Sequence, residues 1–254
     1  MTHLLRPSRL SGLSCFATVL DLRTDFKPFD PDPSKFLGGG PAQLRSLHLK
    51  VRAWARILDL PNLLLSTPNL VVLSVDEVRY DPFLPDELVN ALLALINLKY
   101  LILRFDPIHP NWENRLPTRT VLPSLTMLEI KGNTEDLEDF MARIDAPLLC
   151  SLDIRIYFDI FAVWDIVLDT MTPQLFRFIS RLPKLQRPVD AQIGFSSYPY
   201  IIFFFPGPFH YLQLEFHCGD PGRQFTCLAQ FCRSAPFPIH PLKSLGIYGV
   251  DFRH

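Results

Sequence analysis

A six-residue pattern, apolar-x-x-apolar-x-apolar, recurs along this 254-residue chain at a nearly constant interval. Its eight copies are Ala17 to Leu22, Leu44 to Leu49, Leu70 to Val75, Leu98 to Leu103, Leu125 to Ile130, Leu149 to Ile154, Phe209 to Leu214 and Leu242 to Ile247. The first six are centred on residues 20, 47, 73, 101, 128 and 152. This spacing is typical of repeats of roughly 20 to 29 residues that each supply a strand and a return segment. The pattern predicts an α/β leucine-rich-repeat solenoid of about eight or nine repeats, with a curved parallel sheet on its concave side.

Proline residues and helical periodicity mark the return segments. Pro68, Pro123 and Pro147 precede copies of the pattern in similar phase, and proline resists the continuation of a helix. Apolar residues at helical spacing predict four short helices on the convex side. These helices are Pro85 to Asn97, Thr134 to Ile144, Thr172 to Leu182 and Phe225 to Cys232. Thr134 and Thr172 are the candidate N-caps of the second and third.

The pattern is interrupted once, between the copies centred on residues 152 and 212. Pro188 spoils the copy expected there, because proline cannot donate to a sheet ladder. Ala191 to Phe195 alternates correctly and is the candidate for the displaced strand. Tyr200 to Phe205 is too short to span a bilayer and is interpreted as a buried strand or insert. We expect all the strands to follow chain order in one sheet.

Composition fits a single leucine-rich-repeat domain over residues 1–254 with no membrane span. A net charge of -1 and a pI near 6.6 lack the basic excess that favours nucleic acid. The five cysteines are odd in number and indicate reduced thiols of an intracellular protein, either cytoplasmic or nuclear. Leu10 to Leu20 follows two arginines, as in a signal peptide, but no small-x-small cleavage site follows. An extracellular ligand receptor is therefore the minor alternative.

No motif predicts catalysis, a cofactor or a metal. Gly38 to Gly40 lacks the Lys-Ser/Thr pair of a phosphate-binding loop. The acids of the Thr134 to Ile144 helix lie where the helix dipole favours them. The histidine and cysteine residues of the carboxy-terminal part match no zinc-ligand spacing; they are His217, Cys218, Cys227, Cys232 and His240.

Alternate residues on each predicted strand should face the concave surface. One position past the hexamer, Arg104, Lys131 and Arg155 would stand on consecutive strands about 5 Å apart, which is repulsive without nearby acids. Glu129 and Asp153 lie one step along the same strands. One interpretation is therefore a self-neutralising surface network, which stabilises little.

The other interpretation is a mixed-charge patch that binds an acidic segment of a protein partner. Tyrosine and arginine are enriched among binding hot spots, so tyrosines on this face are candidate anchors. The candidate protein-binding residues on the concave face are Tyr100, Arg104, Lys131, Arg155, Tyr211 and Tyr248. The identity of the bound protein does not follow from these residues.

Three segments carry a family resemblance: Met141 to Leu149 (MARIDAPLL), Leu152 to Ile154 and Thr172 to Leu185 (TPQLFRFISRLPKL). They resemble the carboxy-terminal leucine-rich region of the large F-box-type protein family of mushroom-forming fungi, over roughly residues 40–250. The resemblance implies a substrate receptor of cullin-RING ubiquitin ligases. In such receptors an amino-terminal F-box docks on the ligase adaptor, and the repeats select the protein to be ubiquitinated without catalytic residues of their own.

The chain departs from that family at its amino-terminal end, because the residues before Ala17 are too few for an F-box. Leu84 to Leu88 (LPDEL) imitates the opening of one, but the later Cys and Trp positions are missing and the segment fits an ordinary convex helix. Adaptor binding is expected only if an F-box lies upstream. The sequence thus favours a non-catalytic protein-binding module of the receptor type. The alternative is a free-standing scaffold unconnected to ubiquitin ligases.

Overall fold

The computed structural model of the protein describes residues 19–24, 44–51, 60–78, 85–105, 119–157, 173–195, 198–217, 221–234 and 242–249. The strands are β1 (Val19–Thr24), β2 (Ser46–Val51), β3 (Val72–Val78), β4 (Tyr100–Phe105), β5 (Thr120–Val121), β6 (Met127–Asn133), β7 (Ile144–Asp145), β8 (Ser151–Tyr157), β9 (Asp190–Phe195), β10 (Tyr200–Phe204), β11 (Tyr211–His217) and β12 (Ser244–Gly249). The helices are α1 (Leu60–Leu65), α2 (Pro85–Leu93), α3 (Thr134–Arg143), α4 (173–180) and α5 (Pro221–Ser234).

One large sheet dominates the described structure. Ten strands form it in the order β1-β2-β3-β4-β6-β8-β11-β10-β9-β12. All neighbours are parallel except β10, which runs antiparallel to both β11 and β9. The short strands β5 and β7 form a separate parallel pair. The prediction of an α/β protein with a large, mostly parallel sheet is confirmed.

The central apolar residues of the first seven repeat copies lie directly opposite one another on neighbouring strands. Leu47 faces Leu73, and the same row continues through the middle of the sheet to Leu212. The fully buried members of this leucine row are Leu47, Leu73, Leu101, Leu128, Leu152 and Leu212. Buried side chains of the helices, such as Leu64 and Leu92, join the same hydrophobic core. The sheet therefore has a covered face, on which these helices pack, and an opposite face formed by the alternate residues.

Local signals explain where the helices begin and end. The side chain of Asn133 accepts a hydrogen bond of 2.8 Å from the backbone N–H of Asp136, so Asn133 rather than Thr134 is the N-cap of α3. Helix α2 ends at Leu93, before Ile96. Ile96 therefore leaves the apolar helical face predicted for it and is exposed. Sequence periodicity did not predict the short helix α1.

Helix α4 is attached to α3 through one carboxylate. Glu138 accepts hydrogen bonds of 3.0 Å from the backbone N–H groups of Gln174 and Leu175, in the first turn of α4. Burial raises the pKa of the Glu138 carboxyl to about 7, although both N–H groups favour its ionised form. The predicted inward face of α4, including Phe178 and Ile179, is fully buried. One side chain thus satisfies two helix-end donors and fixes how α4 enters the core.

The strand order departs from chain order after β8. The segment Ala191 to Phe195 is a strand, as predicted, but it lies two positions beyond β11 instead of between β8 and β11. The prediction of sequential order is therefore wrong for β9 to β12. Short connections, residues 196–199 and 205–210, place β10 antiparallel beside both β9 and β11. Strand β11 pairs with β8 along its whole length and so occupies the position beside β8 that was predicted for β9.

The last strand shows a second departure from the repeat pattern. Leu245 and Ile247 occupy the apolar positions of the eighth copy, yet they are 54% and 66% exposed. Among the described strands β12 pairs only with β9, so it forms an edge of the sheet. The prediction that these two side chains are interior is wrong, because on this edge strand both side chains remain largely exposed.

We expect Leu128→Ala to lower the free energy of unfolding by roughly 2 to 5 kcal/mol, the usual cost of a cavity at a fully buried leucine. Leu128 is 0% exposed and is paired on both sides within the leucine row. Urea denaturation followed by circular dichroism measures the change. Leu148→Ala is the matched control, because Leu148 is half-exposed, and its effect should stay within about 0.5 kcal/mol. Equal effects of the two changes would contradict the register.

Candidate protein-binding face

The face of the sheet opposite the helices is called the open face here, and its side chains follow the strand register. Across β4, β6, β8 and β11 it carries three successive rows. The first row is Tyr100, Met127, Ser151 and Tyr211. The second is Ile102, Glu129, Asp153 and Gln213. The third is Arg104, Lys131, Arg155 and Glu215. Five of the six predicted binding residues thus lie on neighbouring strands of one surface.

Arg104 is held between two carboxylates of adjacent strands. Its guanidinium lies 3.5 Å from Asp76 on β3 and 3.2 Å from Glu129 on β6. Lys50 reaches the same Asp76 carboxylate at 3.6 Å. The ion pair between Glu129 and the row of cations, which the sequence predicted, is therefore present in the structure.

Arg155 joins three further carboxylate contacts into the same network. Its guanidinium lies 3.0 Å from Asp153, 3.8 Å from Glu129 and 3.6 Å from Glu215. The hydrogen bond to Asp153 raises the pKa of Arg155. Burial raises the pKa of the Asp153 carboxyl, while Arg155 opposes that rise. Asp153 and Glu129 are only 6% and 9% exposed. Their ion pairs with these arginines offset the cost of burying the two carboxylates.

Lys131 occupies a different environment from the two arginines on either side of it. Within the part of the chain that the structure describes, no carboxylate lies within 4 Å of its ammonium group. Instead the Lys131 Nζ atom lies 4.7 Å from the centroid of the Tyr157 ring, a cation–π contact. Burial lowers the pKa of Lys131, and the charges of Arg104 and Arg155 lower it further.

An aromatic stack adjoins Lys131 at the carboxyl ends of β8 and β11. The His217 ring is tilted against Tyr157 at a centroid distance of 4.7 Å and is stacked on Tyr198 at 3.9 Å. Burial lowers the pKa of His217 to about 4, and Lys131 and Arg155 act in the same direction. Glu215 lies 3.0 Å from the ring but is itself engaged by Arg155. His217 is therefore neutral at pH 7.

The three predicted tyrosine anchors are not grouped together. Tyr100 and Tyr211 share the first row of the open face, separated by two strands, and Tyr100 is 43% exposed. Tyr248 lies on β12, three strands beyond β11, and pairs with Gly194. The reversed order of β9 to β11 accounts for this separation.

Phe209 is an exposed aromatic residue that the repeat pattern misplaced. It was predicted as the first inward residue of the seventh copy, but it is 85% exposed. Its φ angle of 61° lies in the left-handed region, which turns its side chain away from the core at the bend between β10 and β11. The Ser151 hydroxyl donates a hydrogen bond to the Phe209 carbonyl and holds this bend against β8.

Periodicity also missed the aromatic stack, although a partial signal existed. Tyr157 and His217 lie two positions past Arg155 and Glu215, so strand alternation extended beyond the hexamer would have placed both on the open face. Tyr198 precedes β10 and carries no comparable pattern. Of the histidine and cysteine residues considered as zinc ligands, Cys218 and His240 lie outside the described residues. Among the described residues, no group of three or more His, Cys, Asp or Glu residues is placed to hold a metal.

No protein-family model, curated protein or solved structure shows a significant match to the chain. In the described part of the chain, no helix combines the length and apolar character needed to cross a membrane. The resemblance to F-box-type proteins therefore stays a prediction from the sequence.

Protonation of His217 should cost stability at acidic pH. Its pKa is about 4 in the folded protein and near 6.5 when unfolded, so the unfolded chain binds the extra proton between these values. The contribution of neutral His217 to folding is complete above pH 6.5 and is lost as pH falls from 6.5 through 4. We expect His217→Phe, which keeps an aromatic ring in the stack, to flatten the stability profile in that window.

Urea denaturation at pH 4.5, 5.5, 6.5 and 7.5 measures this profile. His210→Phe is the control, because His210 lies in the turn near Pro206, outside the aromatic stack. An unchanged slope in His217→Phe, or an equal change in both variants, would contradict the buried neutral histidine.

Proposed function

We propose that this chain is a non-catalytic protein-binding module whose binding surface is the open face of the sheet. We further propose that the sheet is part of a leucine-rich-repeat solenoid of about eight or nine repeats. The observation that carries the proposal is the difference between the two faces. Helices bury one of them, while the other presents polar and aromatic side chains in register across consecutive strands.

The open face has the composition and rigidity of a recognition surface. Most of its charged side chains are fixed by ion pairs that run from Lys50 to Glu215, and its aromatic groups include the exposed Tyr100. Tyrosine and arginine are enriched at binding hot spots. Side chains held in place before binding lose less conformational entropy when a partner docks. These properties favour binding over catalysis as the role of this surface.

The proposed class is the substrate-recognition part of an F-box-type ubiquitin ligase receptor, and its support is the sequence resemblance. The regular spacing of β1 to β8 and the leucine row agree with such repeats. A free-standing repeat scaffold is the alternative. The two differ in whether a ligase adaptor accompanies the full-length gene product.

A photo-crosslinking experiment tests the binding face. We expect benzoylphenylalanine at position 100, on the open face, to crosslink a protein partner in an extract of the source organism. The same group at position 65 is the matched control, because Leu65 is similarly exposed but belongs to helix α1 on the covered side. Tryptic mass spectrometry identifies the crosslinked species.

Crosslinks from position 65 alone, or equal crosslinks from both positions, would contradict an open-face binding site. Co-purification of a cullin-RING adaptor with the full-length product would favour the receptor class. Recovery of a partner without the adaptor would favour the scaffold.

A further inference from the structure

We propose that the open face binds an acidic segment of its protein partner through Lys131, with Arg104 and Arg155 acting as positioning residues. The inference rests on the proposed protein-binding function and specifies the chemistry of the partner. It divides three cations that look equivalent in the sequence into one that contacts the partner and two that hold the surface in place.

The arginines are already occupied by carboxylates of the protein itself. Arg104 bridges Asp76 and Glu129, and Arg155 is within 3.8 Å of Asp153, Glu129 and Glu215. A partner carboxylate that took Arg155 would remove the ion pair of the buried Asp153, and one that took Arg104 would have to compete with Asp76 and Glu129. Breaking such a pair is strongly unfavourable, so these arginines are poor attachment points.

Lys131 lies between the two arginines and has no such acid among the residues that the structure describes. Its ammonium group rests over Tyr157 and is repelled by both neighbouring guanidinium groups. The other charged groups near it, Asp76 and Glu215, are each engaged by an arginine. A carboxylate placed above Lys131 would relieve this repulsion and displace no existing ion pair. Charge complementarity therefore selects an anion at this point of the face.

The surrounding charges favour a protein carboxylate over a nucleic acid. Guanidinium groups bind phosphate through two parallel hydrogen bonds, and here they are engaged with acids. The acids that occupy these guanidinium groups are Asp76, Glu129, Asp153 and Glu215. A single lysine between them suits one carboxylate of an extended segment. The aromatic stack of Tyr157, His217 and Tyr198 offers a flat apolar surface beside it.

The test uses a blocked hexaglutamate peptide as the probe. Fluorescence anisotropy at low ionic strength gives its affinity for wild type, Lys131→Met and Lys184→Met. Lys184 is the matched control, because its ammonium group lies away from the open face, at 3.3 Å from the Leu148 carbonyl. We expect Lys131→Met to bind about tenfold more weakly, and Lys184→Met to differ from wild type by less than about twofold. Lys131→Arg should retain most of the affinity.

A second measurement needs no charge-removing variant. Reductive methylation with ¹³C-formaldehyde labels the lysines and keeps their charge, and the Lys131 resonance is the one absent from Lys131→Arg. We expect this resonance to shift on addition of hexaglutamate and to stay in place on addition of hexaglutamine. A thermal melt of each variant verifies that it is folded.

Three outcomes would overturn the proposal: a Lys131 resonance unmoved by hexaglutamate, equal losses in the two methionine variants, or tighter binding of a thymidine hexanucleotide than of hexaglutamate. Crosslinking from position 100 does not depend on Lys131. A positive crosslink with no response at Lys131 would reject the acidic partner and leave the open-face function standing, whereas failure of the crosslink would reject the function itself.

Discussion

Lateral stacking of buried leucines is the interaction on which the rest of the structure depends. Each leucine of the row from Leu47 to Leu212 lies directly beside its counterpart on the next strand, and all of them are fully buried. A slip of one residue in any strand would turn its apolar set outward and bring charged groups into the core. The same alignment that excludes water from the helical side therefore also fixes which polar side chains become neighbours on the open side.

That alignment places like charges side by side, and it also places acids next to most of them. Identical positions of successive repeats become adjacent, so a recurring cation produces a row of like charges. Glu129 and Asp153 lie two residues before Lys131 and Arg155 on their strands. Their carboxylates contact Arg104 and Arg155, respectively. Most of this network is partly exposed and contributes little to stability. Its larger effect is geometric, because it fixes the guanidinium groups and leaves Lys131 as the cation with the fewest attractive partners among them.

The sequence predicted the parts of this molecule that obey a period. Leucine spacing predicted seven strands in their correct order, the parallel register and the row of Arg104, Lys131 and Arg155. It failed where short connections override the repeat, as with β9, and where a single backbone angle overrides the pattern, as with Phe209. It also missed the pairing of His217 with Tyr198, since these residues are brought together by the β10–β11 turn and share no spacing.

The reversed order of the strands around β10 has a consequence for how the chain acquires its structure. From β1 to β8 each strand finds its partner within about one repeat, so the sheet can grow as the chain is synthesised. Strand β8, however, pairs with β11, and Ser151 meets a residue 60 positions later, Tyr211. At roughly 5 to 20 residues per second, the edge of β8 waits about 3 to 12 s for its native neighbour. During that interval β9 is already available and carries a compatible alternating pattern. The order of synthesis thus presents β9 to the free edge of β8 before β11 exists.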